Sequence, residues 1–142
     1  MKHLITAADR QFAAAFASGD IVPERFDHRS HIRLAYVYLA EHDDDTALAM
    51  MRAALLEFLG HHGIPSSKYH ETMTRAWILA VRHFMKKTPQ APSADAFIDA
   101  NPMMLDSGIM LTHYSAELLF SAQARERFVE PDLDPIPRYE AR

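Results

Sequence analysis

The chain has 142 residues, of which 49% are hydrophobic, and it carries a formal net charge of -4. This length and apolar content favour one domain with its own core, and the lack of a long block of like charges argues against nucleic acid as a partner. The sequence contains no cysteine, which excludes disulfides, thiolate metal ligands and cysteine nucleophiles.

The N-terminal residues lack the apolar run of a signal peptide, and no stretch approaches the roughly 20 apolar residues of a membrane span. We therefore expect a cytoplasmic protein with no membrane partner.

The first half of the chain has helical periodicity, little glycine and no alternating strand pattern. A first helix is predicted over 7–17, with Gly19 after its end. A second begins near His28, behind the capping residue Asp27, and continues to the acidic run 43–45. Because the second helix is apolar on nearly every side, we expect it to be central.

Two further long helices follow. The third begins at the acidic run and ends near Gly60 and Gly63. The fourth follows Pro65, has its cap in the pair Ser66 and Ser67, and is ended by Pro89 and Pro92.

The last part of the chain is predicted to contain shorter elements. Residues 93–100 form a short helix, and 103–113 are irregular or short-helical. Ser115 caps a last helix that continues through Phe128. The fold class is therefore all-α, a single-domain compact bundle of about five to six helices over 1–130, with a Pro-rich extended tail over 131–142.

Three histidines are predicted to meet at one end of the bundle. His28 and His31 fall in the first turn of the second helix, three residues apart on one face. His70 would be the third residue of the fourth helix, and an up-down order brings the starts of helices two and four together. The positive end of a helix disfavours imidazolium, so these rings should be neutral and able to bind a metal or act as a base.

This cluster predicts a divalent metal site with His28, His31 and His70 as ligands. Three imidazoles and a water are typical of catalytic zinc, and a carboxylate from Glu71 or Asp106 would make iron, manganese or nickel equally reasonable. His113 precedes the last helix and is a further optional member. The alternative is that these histidines only form hydrogen bonds that hold the fold.

Arg33 and Arg75 each follow a histidine on a largely apolar helix, and a half-buried guanidinium needs an anionic partner. They bind either an anionic substrate or the carboxylates Glu71 and Asp106. Glu71 is more simply interpreted as an exposed helical pair with Arg75, four residues on.

Aromatic and methionine side chains recur at helical spacing on the second and fourth helices, and we interpret most of them as core rather than as the wall of a cofactor pocket. They are Tyr36, Tyr38, Tyr69, Met73 and Trp77.

Two segments carry a resemblance. Residues 26–31 fit the pattern F-x-H-x-x-H, and residues 68–72 fit K-Y-H-x-T. With these patterns the chain resembles a family of small bacterial helical proteins of uncharacterised function, over most of its length. The resemblance brings no activity or cofactor with it, but it draws attention to His28, His31 and His70.

Two kinds of function remain open. The first is a metal-dependent enzyme on a small organic substrate, with Arg33 or Arg75 orienting an anionic group and His70 or Glu71 joining the catalysis. In a metal-free variant His70 is the general acid or base. The second is a non-catalytic helical module that binds a small molecule or a partner protein, with structural histidines. Apolar faces also predict a homodimer.

Overall fold

The computed structural model describes residues 3–138 and is helical, with no strand in that range. Its α-helices are α1 (Ala7–Ala17), α2 (His28–Glu41), α3 (Asp44–His61), α4 (Glu71–Lys87), α5 (Ala94–Ala100), α6 (Ala116–Leu119) and α7 (Ala122–Glu126). Short 3-10 helices occupy Pro23–Arg25, Ser66–Lys68, Pro102–Leu105 and Ser107–Thr112. The predicted all-α bundle is confirmed.

Helix α2 is the central element, as its sequence predicts. Six consecutive side chains, from Leu34 to Leu39, are buried in it. It packs against α1, α3, α4 and α5, while α3 also packs against α4 and α7 covers α4. None of the helices within residues 3–138 is long and apolar enough to cross a membrane.

Local capping chemistry sets the starts of the early helices. Thr6 and Asp9 form a reciprocal capping box at α1, and Asp27 accepts the backbone N–H of Ser30 at α2. Asp43 caps α3 in the same way. The predicted starts of α1 and α2 are confirmed.

The start of α4 differs from the prediction. Ser67 lies in a 3-10 turn, and the helix begins at Glu71 with His70 as its cap. The Nδ1 atom of His70 accepts the backbone N–H of Met73 at 3.1 Å. The predicted cap was wrong because imidazole has taken the acceptor role that serine usually fills.

The predicted last helix is two helices. Ser121 interrupts it, because its hydroxyl donates to the Leu118 carbonyl and accepts the N–H of Ala124, which restarts the chain as α7. Phe128 lies beyond the end of α7. Residues 131–138 of the predicted tail contain neither helix nor strand, and 139–142 lie outside the described residues.

Candidate functional site

A cavity of about 300 Å³ opens at the end of the bundle where α2 and α4 begin. We call it the histidine cavity, because His28, His31 and His70 all line it. Its wall combines residues from the starts of α2 and α4 with residues from the C-terminal half of α3, as an antiparallel order of these helices places them. The remaining wall is mostly apolar: Phe26, Ile32, Ala35, Met51, Leu55, Phe58, Leu59, Met73, Trp77 and Ile78, with the polar residues Lys68, Tyr69, Thr74 and Ser107.

Both ring nitrogens of His70 already have hydrogen-bond partners. Nδ1 accepts the N–H of Met73, so the proton is on Nε2, which donates to the Leu119 carbonyl at 2.8 Å. Burial lowers the pKa of His70, in keeping with this neutral tautomer. The ring therefore caps α4 and holds α6 against it.

His28 has a similar tethering contact. Its Nε2 atom donates to the Met104 carbonyl at 2.8 Å, which ties the start of α2 to the 3-10 helix Pro102–Leu105. The ring also contacts Trp77 edge to face, with 4.8 Å between centroids. One nitrogen, Nδ1, is left without a hydrogen bond among the described residues.

His31 differs from the other two, because its ring makes no hydrogen bond within residues 3–138. It packs against Phe26, with 5.0 Å between ring centroids. Burial, with a smaller contribution from His28, lowers the pKa of His31 to about 4. At neutral pH its ring is therefore an uncharged group on an apolar wall, with one donor and one acceptor free.

The three rings share a cavity but are not arranged as ligands of one ion. Within residues 3–138 no group of three or more His, Asp or Glu side chains is placed to hold a metal. His70 would have to give up the α4 cap or the Leu119 contact to provide a lone pair. The predicted site with zinc, iron, manganese or nickel thus stays a prediction.

Glu71 belongs to a network beside the cavity, and Arg75 is not its main partner. Arg52 on α3 reaches both carboxylate oxygens of Glu71, and the Tyr69 hydroxyl donates to Oε1 at 2.6 Å. Burial would raise the pKa of Glu71, but the hydrogen bonds from Arg52 and Tyr69 outweigh it and hold that pKa below its usual value. Glu71 is thereby kept ionised, and both of its carboxylate oxygens have hydrogen-bond partners.

The two arginines predicted to orient a substrate lie elsewhere. Arg33 is paired with the buried carboxylate of Asp9 at 3.0 Å. Arg75 stacks on the ring of Phe128, with its guanidinium carbon 4.4 Å from the centroid. Neither lines the histidine cavity, and neither pairs with Asp106.

The optional members Asp106 and His113 have local roles. Asp106 caps the 3-10 helix Ser107–Thr112 by accepting the N–H of Gly108. The Nδ1 atom of His113 lies 2.8 Å from the Asp134 carbonyl, on the exposed side of the tail. Neither belongs to the wall of the cavity.

The apolar wall is the part that sequence reasoning missed. Tyr36, Tyr38 and Trp77 are core as predicted, and Trp77 also lines the cavity beside the partly buried Tyr69 and Met73. Helical spacing was the only signal, and it is the same for a side chain that faces a filled core and for one that faces a space.

Comparison with known proteins identifies no relative: no family model, curated protein or solved structure matches the chain. The resemblance to an uncharacterised bacterial family stays a prediction.

Proposed function

We propose that the protein is a helical module that binds a small, mainly apolar organic molecule in the histidine cavity, without catalysing a reaction. One observation carries the proposal: a space of about 300 Å³ whose wall is built mostly of aromatic and aliphatic side chains. Concave, largely apolar sites with a few polar groups are the usual form of small-molecule pockets.

The size of the cavity limits the ligand. An apolar cavity of about 150 Å³ accommodates benzene. Twice that volume suits a body of about two fused rings, which would contact Phe26, Phe58 and Trp77.

The chain contains a natural reporter, because its one tryptophan, Trp77, lines the cavity. Titration with decalin derivatives, which do not absorb where tryptophan is excited, should change Trp77 emission in a saturable way. Calorimetry with naphthalene derivatives measures the same event independently.

A matched pair of variants locates the binding. Ala35→Leu adds a side chain within the cavity wall, whereas Ala40→Leu makes the same change on the same helix away from that wall. We expect Ala35→Leu to weaken binding at least about tenfold, equal to about 1.4 kcal/mol, Ala35→Val to weaken it less, and Ala40→Leu to leave it unchanged. Equal affinity in all of these variants, or no binding to the unmodified protein, would overturn the proposal.

The metal-dependent enzyme is the less favoured proposal, because it requires His70 to leave its two hydrogen-bond partners. Elemental analysis of protein purified without a polyhistidine tag tests it. A stoichiometric metal that is lost in His28→Ala and His31→Ala would favour the enzyme over the module.

The cytoplasmic location expected from the sequence stays a prediction.

A further inference from the structure

Several polar groups on the wall of the histidine cavity already have partners. The Thr74 hydroxyl donates to the His70 carbonyl at 2.8 Å, and the Tyr69 hydroxyl donates to Glu71 at 2.6 Å. The ring of His70 uses both of its nitrogens. A ligand that sought hydrogen bonds from these groups would have to break contacts that hold the fold.

Within residues 3–138 the exceptions are the Nδ1 atom of His28, the side chains of Lys68 and Ser107, and the ring of His31, which has the most apolar surroundings. The His31 ring stands in the first turn of α2, against Phe26, and makes no hydrogen bond to the described part of the chain. Because the residue is partly exposed, a ligand that displaces water from its ring has to replace the lost hydrogen bond with a matching one.

We propose that the ligand carries a neutral hydroxyl group, a phenol or alcohol on its apolar body, which hydrogen-bonds to the ring of His31. This inference rests on the proposed function. A hydroxyl both donates and accepts, so it matches either tautomer of a neutral imidazole. His31 is thus the residue that determines which of several equally sized apolar molecules is bound.

The charges around the cavity favour a neutral ligand over a carboxylate. The rings of His28 and His70 and the phenol of Tyr69 face the same space as His31, and among residues 3–138 Lys68 is the one lysine or arginine on the wall. Lys68 is exposed, and a water-exposed ion pair contributes little. A carboxylate placed inside would lose its hydration without gaining a buried cation.

Three probes of matched shape test this, with calorimetry at pH 7: naphthol, methylnaphthalene and naphthoate. We expect naphthol to bind at least about fivefold more tightly than either of the others, the size of one net hydrogen bond. In His31→Phe, which keeps the ring contact with Phe26, naphthol and methylnaphthalene should bind equally. His31→Gln, which restores a donor and an acceptor, should recover part of the preference. Ser107→Ala removes another polar group from the wall and should leave the preference unchanged.

The outcomes separate the two proposals. If methylnaphthalene or naphthoate binds the unmodified protein as tightly as naphthol, or if the preference for naphthol survives in His31→Phe, the proposed hydrogen bond to His31 is wrong while the cavity remains a binding site. If the preference is lost in Ser107→Ala but kept in His31→Phe, the ligand hydroxyl binds to Ser107 and the assignment to His31 is overturned. If none of the three probes binds, the proposed function itself fails.

Discussion

At the scale of single residues, His31 links the stability of the protein to pH. Burial holds the pKa of its folded-state ring at about 4, below the ordinary 6.5. The fold therefore binds this proton less well than the unfolded chain does, so stability is fully present above about pH 6.5 and is lost as pH falls towards 4.

We expect the free energy of unfolding to fall by about 2 kcal/mol between pH 7 and pH 5 through His31 alone. Urea denaturation of the unmodified protein and His31→Phe measures it. The variant should show a shallower slope in this window, because it lacks the His31 contribution. Identical slopes would mean that the His31 ring is not desolvated by the cavity wall.

The buried surroundings of Asp9 lead to a second prediction for a single residue. Its carboxylate is almost fully buried, pairs with Arg33 at 3.0 Å and accepts the backbone N–H of Ala94 at 3.1 Å. Burial would raise the pKa of Asp9, but its hydrogen bonds and Arg33 hold that pKa below normal. Asp9→Ala leaves Arg33 half-buried without its partner.

Asp9→Ala should destabilise the protein by about 2–4 kcal/mol in urea denaturation. Asp95→Ala is the matched control, since Asp95 also pairs with an arginine, Arg29, but is exposed. It should cost less than about 1 kcal/mol. Similar losses in the two variants would contradict the structural role given to Asp9.

At the scale of elements, the sequence predicted the helix starts that are determined by nearby capping side chains. The starts of α1 and α2 follow from caps within three residues of the helix, at Thr6 and Asp27. The start of α4 was predicted wrongly, because an imidazole cap is rarer than a serine cap and Ser67 lies nearby as a competing candidate. The cavity was also missed, since periodicity marks an apolar face without saying whether a neighbour fills the space before it.

His70 joins two elements, so two substitutions separate its roles. His70→Ala removes both the α4 cap and the contact with Leu119, whereas His70→Asn keeps a capping side chain that is too short for that contact. We expect hydrogen exchange in 116–126 to accelerate in both variants, and exchange at the start of α4 to accelerate only in His70→Ala. Unchanged exchange in 116–126 would show that the Leu119 contact does not hold α6.

At the scale of the whole molecule, the C-terminal tail contributes to the fold as far as residue 138. Asp132 accepts hydrogen bonds from the N–H and hydroxyl of Ser115, at 2.8 Å and 2.6 Å. The Leu133 N–H donates to the His113 carbonyl at 2.9 Å.

The predicted homodimer, which sedimentation velocity would test, stays a prediction.

Two apolar residues of this tail provide the test of its packing. Ile136 is 6% exposed and belongs to the core, whereas Leu133 is 52% exposed. Ile136→Ala removes buried methyl groups and should lower the free energy of unfolding by about 2–4 kcal/mol, while Leu133→Ala should cost less than about 1 kcal/mol. Equal effects in urea denaturation would show that the tail is not docked in solution. A large difference would mean that the domain extends beyond residue 130, because the bundle needs Ile136 to close its core.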